Sequence, residues 1–219
     1  KGLLKAAGAE VMVGEARFET ANRLLVKTAD GEKRVEGGSI IIASGSRPIA
    51  IPGFAFDGKR ILDSTGGLAL REVPGRMIVI GGGYIGLELG IAWAKLGSKV
   101  AVVEATAGLL PGNDPELVDV VARKIKKLGI EVHLEAKALG WEEAGGKARV
   151  KIATKAGEQT LDADTVLVCV GRRPNSEDLG LDKIGVEVER GFIKTDLQRR
   201  TNIPHIFAIG DAAGEPMLA

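Results

Sequence analysis

The 219-residue chain contains one cysteine, Cys169, and a lone thiol excludes an internal disulfide and dithiol chemistry within the chain. Two histidines, His133 and His205, are too few for a histidine-rich metal site. Charge of one sign is also missing: 30 Lys and Arg face 29 Asp and Glu, for a net charge of +1. That balance lacks the electrostatic footprint of a nucleic-acid or anionic-membrane binder. No run approaches the ~20 apolar residues that span a bilayer, and no apolar signal core follows Lys5. These absences lead to the expectation of a cytoplasmic chain, or one in the mitochondrial matrix if the source is eukaryotic, with no nucleic-acid or membrane partner.

Apolar residues and glycine are plentiful. Hydrophobic residues make up 45% of the chain, enough for one or two cores and too much for a disordered tail. The 31 glycines, set against two Trp, one Tyr and five Phe, suit a fold that brings backbone close to ligands in several places.

Short Val/Ile-rich runs alternate with two helical stretches, the pattern of an α/β protein carrying extra antiparallel strands. Residues 77–80 read as a buried strand ending in Gly81-Gly82-Gly83, and a helix follows over about 84–96, stopped by Gly97. A Val-rich strand over 99–104 closes on Glu104. The second helix spans about 115–128, with Asp114 as N-cap, Pro115 at the first helical position and Gly129 as the stop. A strand at 130–134 completes a βαβαβ unit. Turns at Gly145-Gly146 and near Gly157 then mark a three-stranded antiparallel meander that returns into an apolar strand over 165–170.

The chain also repeats itself. Gly8-Ala-Glu-Val-Met-Val13, two hairpin-like runs and Ser39-Ile-Ile-Ile-Ala-Ser-Gly-Ser-Arg-Pro48 match Gly129-Ile-Glu-Val-His-Leu134, two hairpin-like runs and Thr165-Val-Leu-Val-Cys-Val-Gly-Arg-Arg-Pro174. The second copy is preceded by a glycine-rich loop. The first copy opens in what reads as the last turn of a helix, so symmetry predicts a second nucleotide loop upstream of Lys1.

Gly81-x-Gly83-x-x-Gly86 falls where a strand turns into a helix. The three glycines serve a tight turn, close approach of backbone to a pyrophosphate, and close helix-to-strand packing, with Gly90 extending the close-packed face. The helix N-terminus offers unpaired N–H groups and positive dipole to phosphates. Glu104 is placed to accept hydrogen bonds from both adenosine ribose hydroxyls and to repel a 2'-phosphate, which favours NAD over NADP. On this reading Glu104→Arg weakens NAD relative to NADP. Tyr84 and Glu88 share one helix face, either shaping a nicotinamide pocket or forming a packed Tyr and a surface Glu. Asp211 ends an apolar strand as an acceptor suited to a polyol hydroxyl. His133 reads as packed in its strand, Cys169 as a small inert hydrophobe and Trp93 as core, while the charges over 123–127 read as a solvated helix face.

These residues resemble the two-dinucleotide flavoprotein disulfide reductases, and within them the dihydrolipoyl dehydrogenases. The resemblance is carried by Gly81-Gly-Gly-Tyr-Ile-Gly-Leu-Glu-Leu-Gly90, Asp63-Ser-Thr, Ile42-Ala-Ser-Gly-Ser-Arg-Pro48, Gly171-Arg-Arg-Pro-Asn175, and Ala208-Ile-Gly-Asp211 through Pro216-Met-Leu-Ala219, in the family's order. It implies an α/β, Rossmann-like NAD domain, a parallel sheet plus the antiparallel meander, inserted into a partial FAD domain of similar fold. The expected boundaries are 1–71 and 195–219 for the FAD pieces and 72–194 for the NAD domain. The implied NAD contacts are Gly81, Gly83, Tyr84, Gly86, Glu88 at the nicotinamide, Glu104, Ala138 at the adenine, Gly171 and Arg172. The implied FAD contacts are Ala16, Ser44, Gly45, Ser46, Asp211 on the ribityl chain, Met217, Leu218 and Ala219.

The family's redox cysteine pair and its His-Glu acid/base pair have no counterpart among these residues, so no catalytic residue is expected within the chain. For an intact parent the resemblance implies a homodimer that oxidises dihydrolipoamide on a lipoyl-bearing acyltransferase of a 2-oxoacid dehydrogenase complex. A soluble transhydrogenase, a metal-ion reductase or a non-catalytic nucleotide-binding module are the alternatives.

Overall fold

The computed structural model describes residues 2–217 and divides into two compact units, Pro48–Arg172 and Lys1–Arg47 with Arg173–Ala219. In the first, five parallel strands run in the order Ile61–Leu62, Thr165–Val168, Arg76–Ile80, Lys99–Val103 and Glu131–His133. The three central strands are apolar almost throughout because both faces of the sheet are covered. Ile78, Ile80, Val103, Val166 and Val168 point into a core completed by Ala148, Val150 and Ile152 of the meander. The alternate residues Met77, Val79, Val100, Val102 and Leu167 meet Leu87, Trp93 and Ile125 of the helices on the other face.

The helices form where the spacing of apolar and breaking residues expects them. Tyr84–Lys95 buries Gly86, Leu87, Gly90 and Trp93, one face of a 3.6-residue period, and gives way at Gly97, whose φ is +110°. Pro115–Lys127 starts with Pro115 in its first turn and with the Asp114 carboxylate accepting the Glu116 N–H at 2.9 Å. Only Ile125 of its charged last turns is buried. The meander consists of Lys137–Ala144, Lys147–Thr154 and Gly157–Ala163, paired antiparallel through the expected turns.

Asp57 fixes the approach to the edge strand Ile61–Leu62. Its Oδ1 accepts the N–H groups of Lys59, Arg60 and Ile61 at 2.8 to 2.9 Å. Partial burial alone raises this carboxyl, but the backbone donors of Lys59, Ile61 and Arg60 outweigh it and hold the group below the usual aspartate value. A depressed carboxyl stabilises the fold above its unfolded-state pKa and loses that contribution as pH falls through the folded value. Asp57→Ala is therefore expected to cost about 1 kcal/mol at pH 7, a figure reduced for solvent exposure. In urea denaturation the gap between the two proteins should close only below about pH 4.

The second unit contains the other copy of the repeat. Glu15–Thr20, Arg23–Thr28 and Gly31–Glu36 form an antiparallel sheet, and Ile40–Ile42 then pairs in parallel with Ile206–Ala208. Phe18, Ile42, Leu181, Val186, Ile193 and Ile206 make its core. The copies differ at their starts. Glu131–His133 is a strand because Lys99–Val103 lies beside it, whereas the matching residues 9–13 pair with no strand among the described residues.

The division falls at 47/48 and 172/173 along the chain, whereas the functional domains expected from the sequence divide at 71/72 and 194/195. Contacts explain the difference. Ile61–Leu62 adds an edge strand to the parallel sheet, and the helix Ser64–Ala69, capped by Asp63, packs on the same unit. Leu181, Val186 and Ile193 are core residues of the other unit.

Candidate nucleotide cleft

A cleft of about 780 Å³ opens at the carboxyl ends of the parallel strands in the Pro48–Arg172 unit, beside Ile80, Val103 and Cys169. The helix after Arg76–Ile80 leads to a strand on one side of it, and Thr165–Val168 lies on the other. Such a reversal of strand order leaves a crevice in open α/β sheets, and the volume suits a cofactor.

Each glycine of the loop answers to a different neighbour. Gly81 has φ +109°, and a Cβ there would overlap the Cys169 carbonyl oxygen. A Cβ on Gly86 would overlap the Gly81 carbonyl oxygen and crowd Val79 Cγ1 at 3.0 Å. Gly83 is the opposite case: it lines the cleft in extended backbone, and a Cβ would meet no protein atom within 4 Å. The fold requires glycine at 81 and 86 but not at 83. Gly83 also supplies no side-chain cap to the Tyr84–Lys95 helix. The positive end of the helix dipole faces the same loop and favours an anion there. At Gly90 a Cβ would make only ordinary contacts of 3.5 Å, so its packing role is slighter than the sequence implies.

Glu104 is buried at 7% exposure. Its Oε2 accepts the Gly82 N–H at 2.6 Å, and its Oε1 accepts the Thr106 N–H at 2.8 Å with the Thr106 hydroxyl also at 2.8 Å. The carboxylate therefore has protein donors on both oxygens and ties the glycine-rich loop to the end of its own strand. Gly82 and Thr106 were not foreseen as partners. A Thr two residues beyond a strand-end Glu, within reach of a local side-chain turn, was the available signal.

Gly81, Gly83, Tyr84, Glu104, Ala138, Gly171 and Arg172 all line the cleft, and Gly86 packs behind the loop. Glu88 is exposed one helical turn beyond Tyr84 and is not among the cleft-lining residues. Lys137, next to Ala138, adds a cation to the wall that the sequence reading did not single out.

Cys169 also lines the wall, half-buried, with its thiol pushed up to about 12, first by burial and then by the Asp63 carboxylate. A thiol in that state is a weak nucleophile. Iodoacetamide at pH 8 is expected to leave Cys169 unmodified in the folded protein and to label it on unfolding, as peptide mass mapping would record. His133 Nε2 is 3.0 Å from Glu131 Oε1, in an alignment that does not make a hydrogen bond, and His205 Nε2 lies 3.0 Å from the Ala21 carbonyl oxygen.

In the other unit, Asn175 clamps the 44–47 segment. It donates from Nδ2 to the Ser44 carbonyl at 2.9 Å and from its backbone to the Gly45 carbonyl at 2.9 Å. It accepts from the Ser44 hydroxyl at its carbonyl and from Arg47 Nη1 at Oδ1. The Ser46 hydroxyl donates to Asp211 Oδ2, which brings two of the expected FAD contacts together and leaves acceptor positions on Asp211 for further hydroxyls. Ala16 is exposed as the second residue of its meander, the place Ala138 holds in the other meander. Met217 is buried, while Leu218 and Ala219 lie outside the described residues.

Comparison with known proteins gives the family. The whole chain, residues 1–219, matches the pyridine nucleotide-disulphide oxidoreductase family. It is 45% identical over 220 residues to a dihydrolipoyl dehydrogenase of Bacillus subtilis and 46% identical over 220 residues to one of Geobacillus stearothermophilus. Each alignment takes in 100% of this chain and 47% of the relative, so the chain spans about half the length of these relatives. Among solved structures, LpdA from Mycobacterium tuberculosis superposes with a TM-score of 0.89 at 28% identity, over 99% of this chain and 48% of that one. The HOCl-induced flavoprotein disulfide reductase RclA from Escherichia coli gives 0.87 at 30% identity, over 99% of this chain and 49% of that one. With its glycine-rich loop, its strand-end glutamate and a match along its entire length, the chain belongs to the pyridine nucleotide-disulphide oxidoreductases, whose cofactors are FAD and a pyridine nucleotide.

Proposed function

We propose that the cleft is an NAD site and that the whole protein is a dihydrolipoyl dehydrogenase to which this chain contributes the NAD site and part of the FAD site. One observation carries the cofactor assignment: Gly83 is bare toward the cleft although the protein itself leaves room for a side chain. Similarity to dihydrolipoyl dehydrogenases over the full chain supports the substrate.

In this reading the open backbone at Gly83 and the N-terminal end of the Tyr84–Lys95 helix, with its positive dipole, receive the pyrophosphate. Glu104 accepts from the adenosine ribose, Ala138 leaves room beside the adenine, and Gly171 with Arg172 forms the opposite wall. Tyr84 stands at the mouth, with Glu88 one turn beyond it toward the nicotinamide. Ser44, Gly45, Ser46, Asp211 and Met217, with Ala16, hold the flavin nucleotide. When bound, FAD and NAD supply the electron chemistry; the residues here hold them in register. No group of this chain acts as nucleophile or acid/base. The electron donor is dihydrolipoamide on a lipoyl-bearing acyltransferase of a 2-oxoacid dehydrogenase complex, and the working form is a cytoplasmic homodimer.

The test is reduction of NAD+ by dihydrolipoamide with the intact protein, followed alongside its flavin absorbance. Flavin-dependent NADH formation supports the proposal. Bound flavin without activity toward dihydrolipoamide would move the protein to another branch of the family, and a flavin-free protein that still takes up NAD+ would make it a binding module.

A further inference from the structure

Glu104 offers four lone-pair positions from a buried site, and their occupancy can be counted. The Gly82 N–H takes one on Oε2, and the Thr106 N–H takes one on Oε1. Thr106 Oγ1 stands 2.8 Å from Oε1 and also 2.8 Å from the Gly108 carbonyl oxygen. A hydroxyl carries one proton, so it serves one of these two acceptors at a time. With the proton on Glu104, a single lone pair remains, on Oε2. With the proton on Gly108, each carboxylate oxygen keeps one. A vicinal diol brings two donors and is satisfied only by the second arrangement.

The surrounding main chain is held on three sides. Glu104 N donates to the His133 carbonyl at 2.8 Å, and the carbonyls of Glu104 and Thr106 accept from Ala136 N and Glu135 N at 2.9 Å each. Rotation of the hydroxyl about its own C–O bond is the adjustment that needs no heavy atom to move.

We infer that Thr106 is a specificity-determining residue of the cleft, a two-position donor that serves Glu104 in the free protein and turns to the Gly108 carbonyl when an adenosine ribose diol takes both carboxylate oxygens. The inference rests on the reading of the cleft as an NAD site. It gives a reason for discrimination beyond simple charge repulsion. A 2'-phosphate at neutral pH is predominantly the dianion, which has no proton to offer Oε1 and does not replace the Thr106 hydroxyl there.

Calorimetric titration of the intact protein with NAD+ and with its adenosine 2'-deoxy analogue tests this. In the unaltered protein the ribose hydroxyl replaces one donor by another, and deleting it is expected to cost only about twofold in affinity. Thr106→Val leaves Oε1 short of a donor in the free protein. NAD+ should then bind about three- to tenfold more tightly, and the 2'-deoxy penalty should grow by the same factor. Thr106→Ala should move both quantities in the same direction if the valine variant does not fold, and Thr106→Ser should restore the original pattern. Equal weakening of both ligands in Val and Ala variants would overturn the inference while leaving the NAD reading intact. Failure of the unaltered protein to bind NAD+ at all would remove both.

Discussion

Gly83→Ala should leave the unfolding free energy within about 1 kcal/mol of its original value while weakening NAD+ binding about 100-fold. The new methyl meets no protein atom within 4 Å, and the position has φ −78° and ψ 178°, which alanine adopts without strain. Folding therefore has no reason to notice it. The methyl does project from backbone that lines the cleft at the start of an uncapped helix, where a pyrophosphate needs close approach. Gly86→Ala is the companion measurement. Its methyl would overlap the Gly81 carbonyl oxygen, a backbone atom that cannot swing aside, so stability should fall by about 3 kcal/mol as well. Denaturation curves and NAD+ titrations on both variants separate the two roles. Unchanged NAD+ affinity in Gly83→Ala would take the pyrophosphate away from this loop.

Glu104→Gln should lower stability by about 2–3 kcal/mol and weaken NAD+ at least about 100-fold, although it removes a single charge and almost no volume. An amide has one acceptor oxygen, and its NH2 group must face either the Gly82 N–H or the Thr106 N–H. A buried donor facing another donor loses its hydrogen bond and its solvation together. The same geometry revises the expectation attached to Glu104→Arg. A guanidinium brings only donors to a place already supplied with donors, so both NAD+ and NADP+ should be lost, with no exchange of preference between them. Retention of NADP+ binding by that variant would show that Glu104 does not organise the loop.

Four of the five parallel strands in the Pro48–Arg172 unit, the two long helices, their caps and the meander are legible because each rests on local signals. Continuous apolar, β-branched runs place residues 77–80 and 99–103 in strands, a period of 3.6 places Gly86, Leu87, Gly90 and Trp93 on one buried face, and paired glycines mark the meander's first turn. The glycine spacing also marked the loop as a nucleotide site. Residues brought together from distant segments were not legible in this way. Asn175 appeared only as the end of a motif, and its clamp on Ser44 and Gly45 joins positions 131 residues apart for the side-chain bond. The membership of 48–71 in the parallel-sheet unit follows from an edge pairing between Ile61 and Val166 that no local pattern announces.

Sequence by itself determined the type and order of the elements and the chemistry available at the loop, since backbone preference and apolar period act over a few residues. Tertiary structure decided how that chemistry is used. It buried Glu104 and committed part of its carboxylate to Gly82 and Thr106, left Gly83 bare, and raised the Cys169 thiol by burial. Hydrogen-bond capacity and solvation at a buried site depend on which groups arrive from elsewhere in the chain, and only folding settles that.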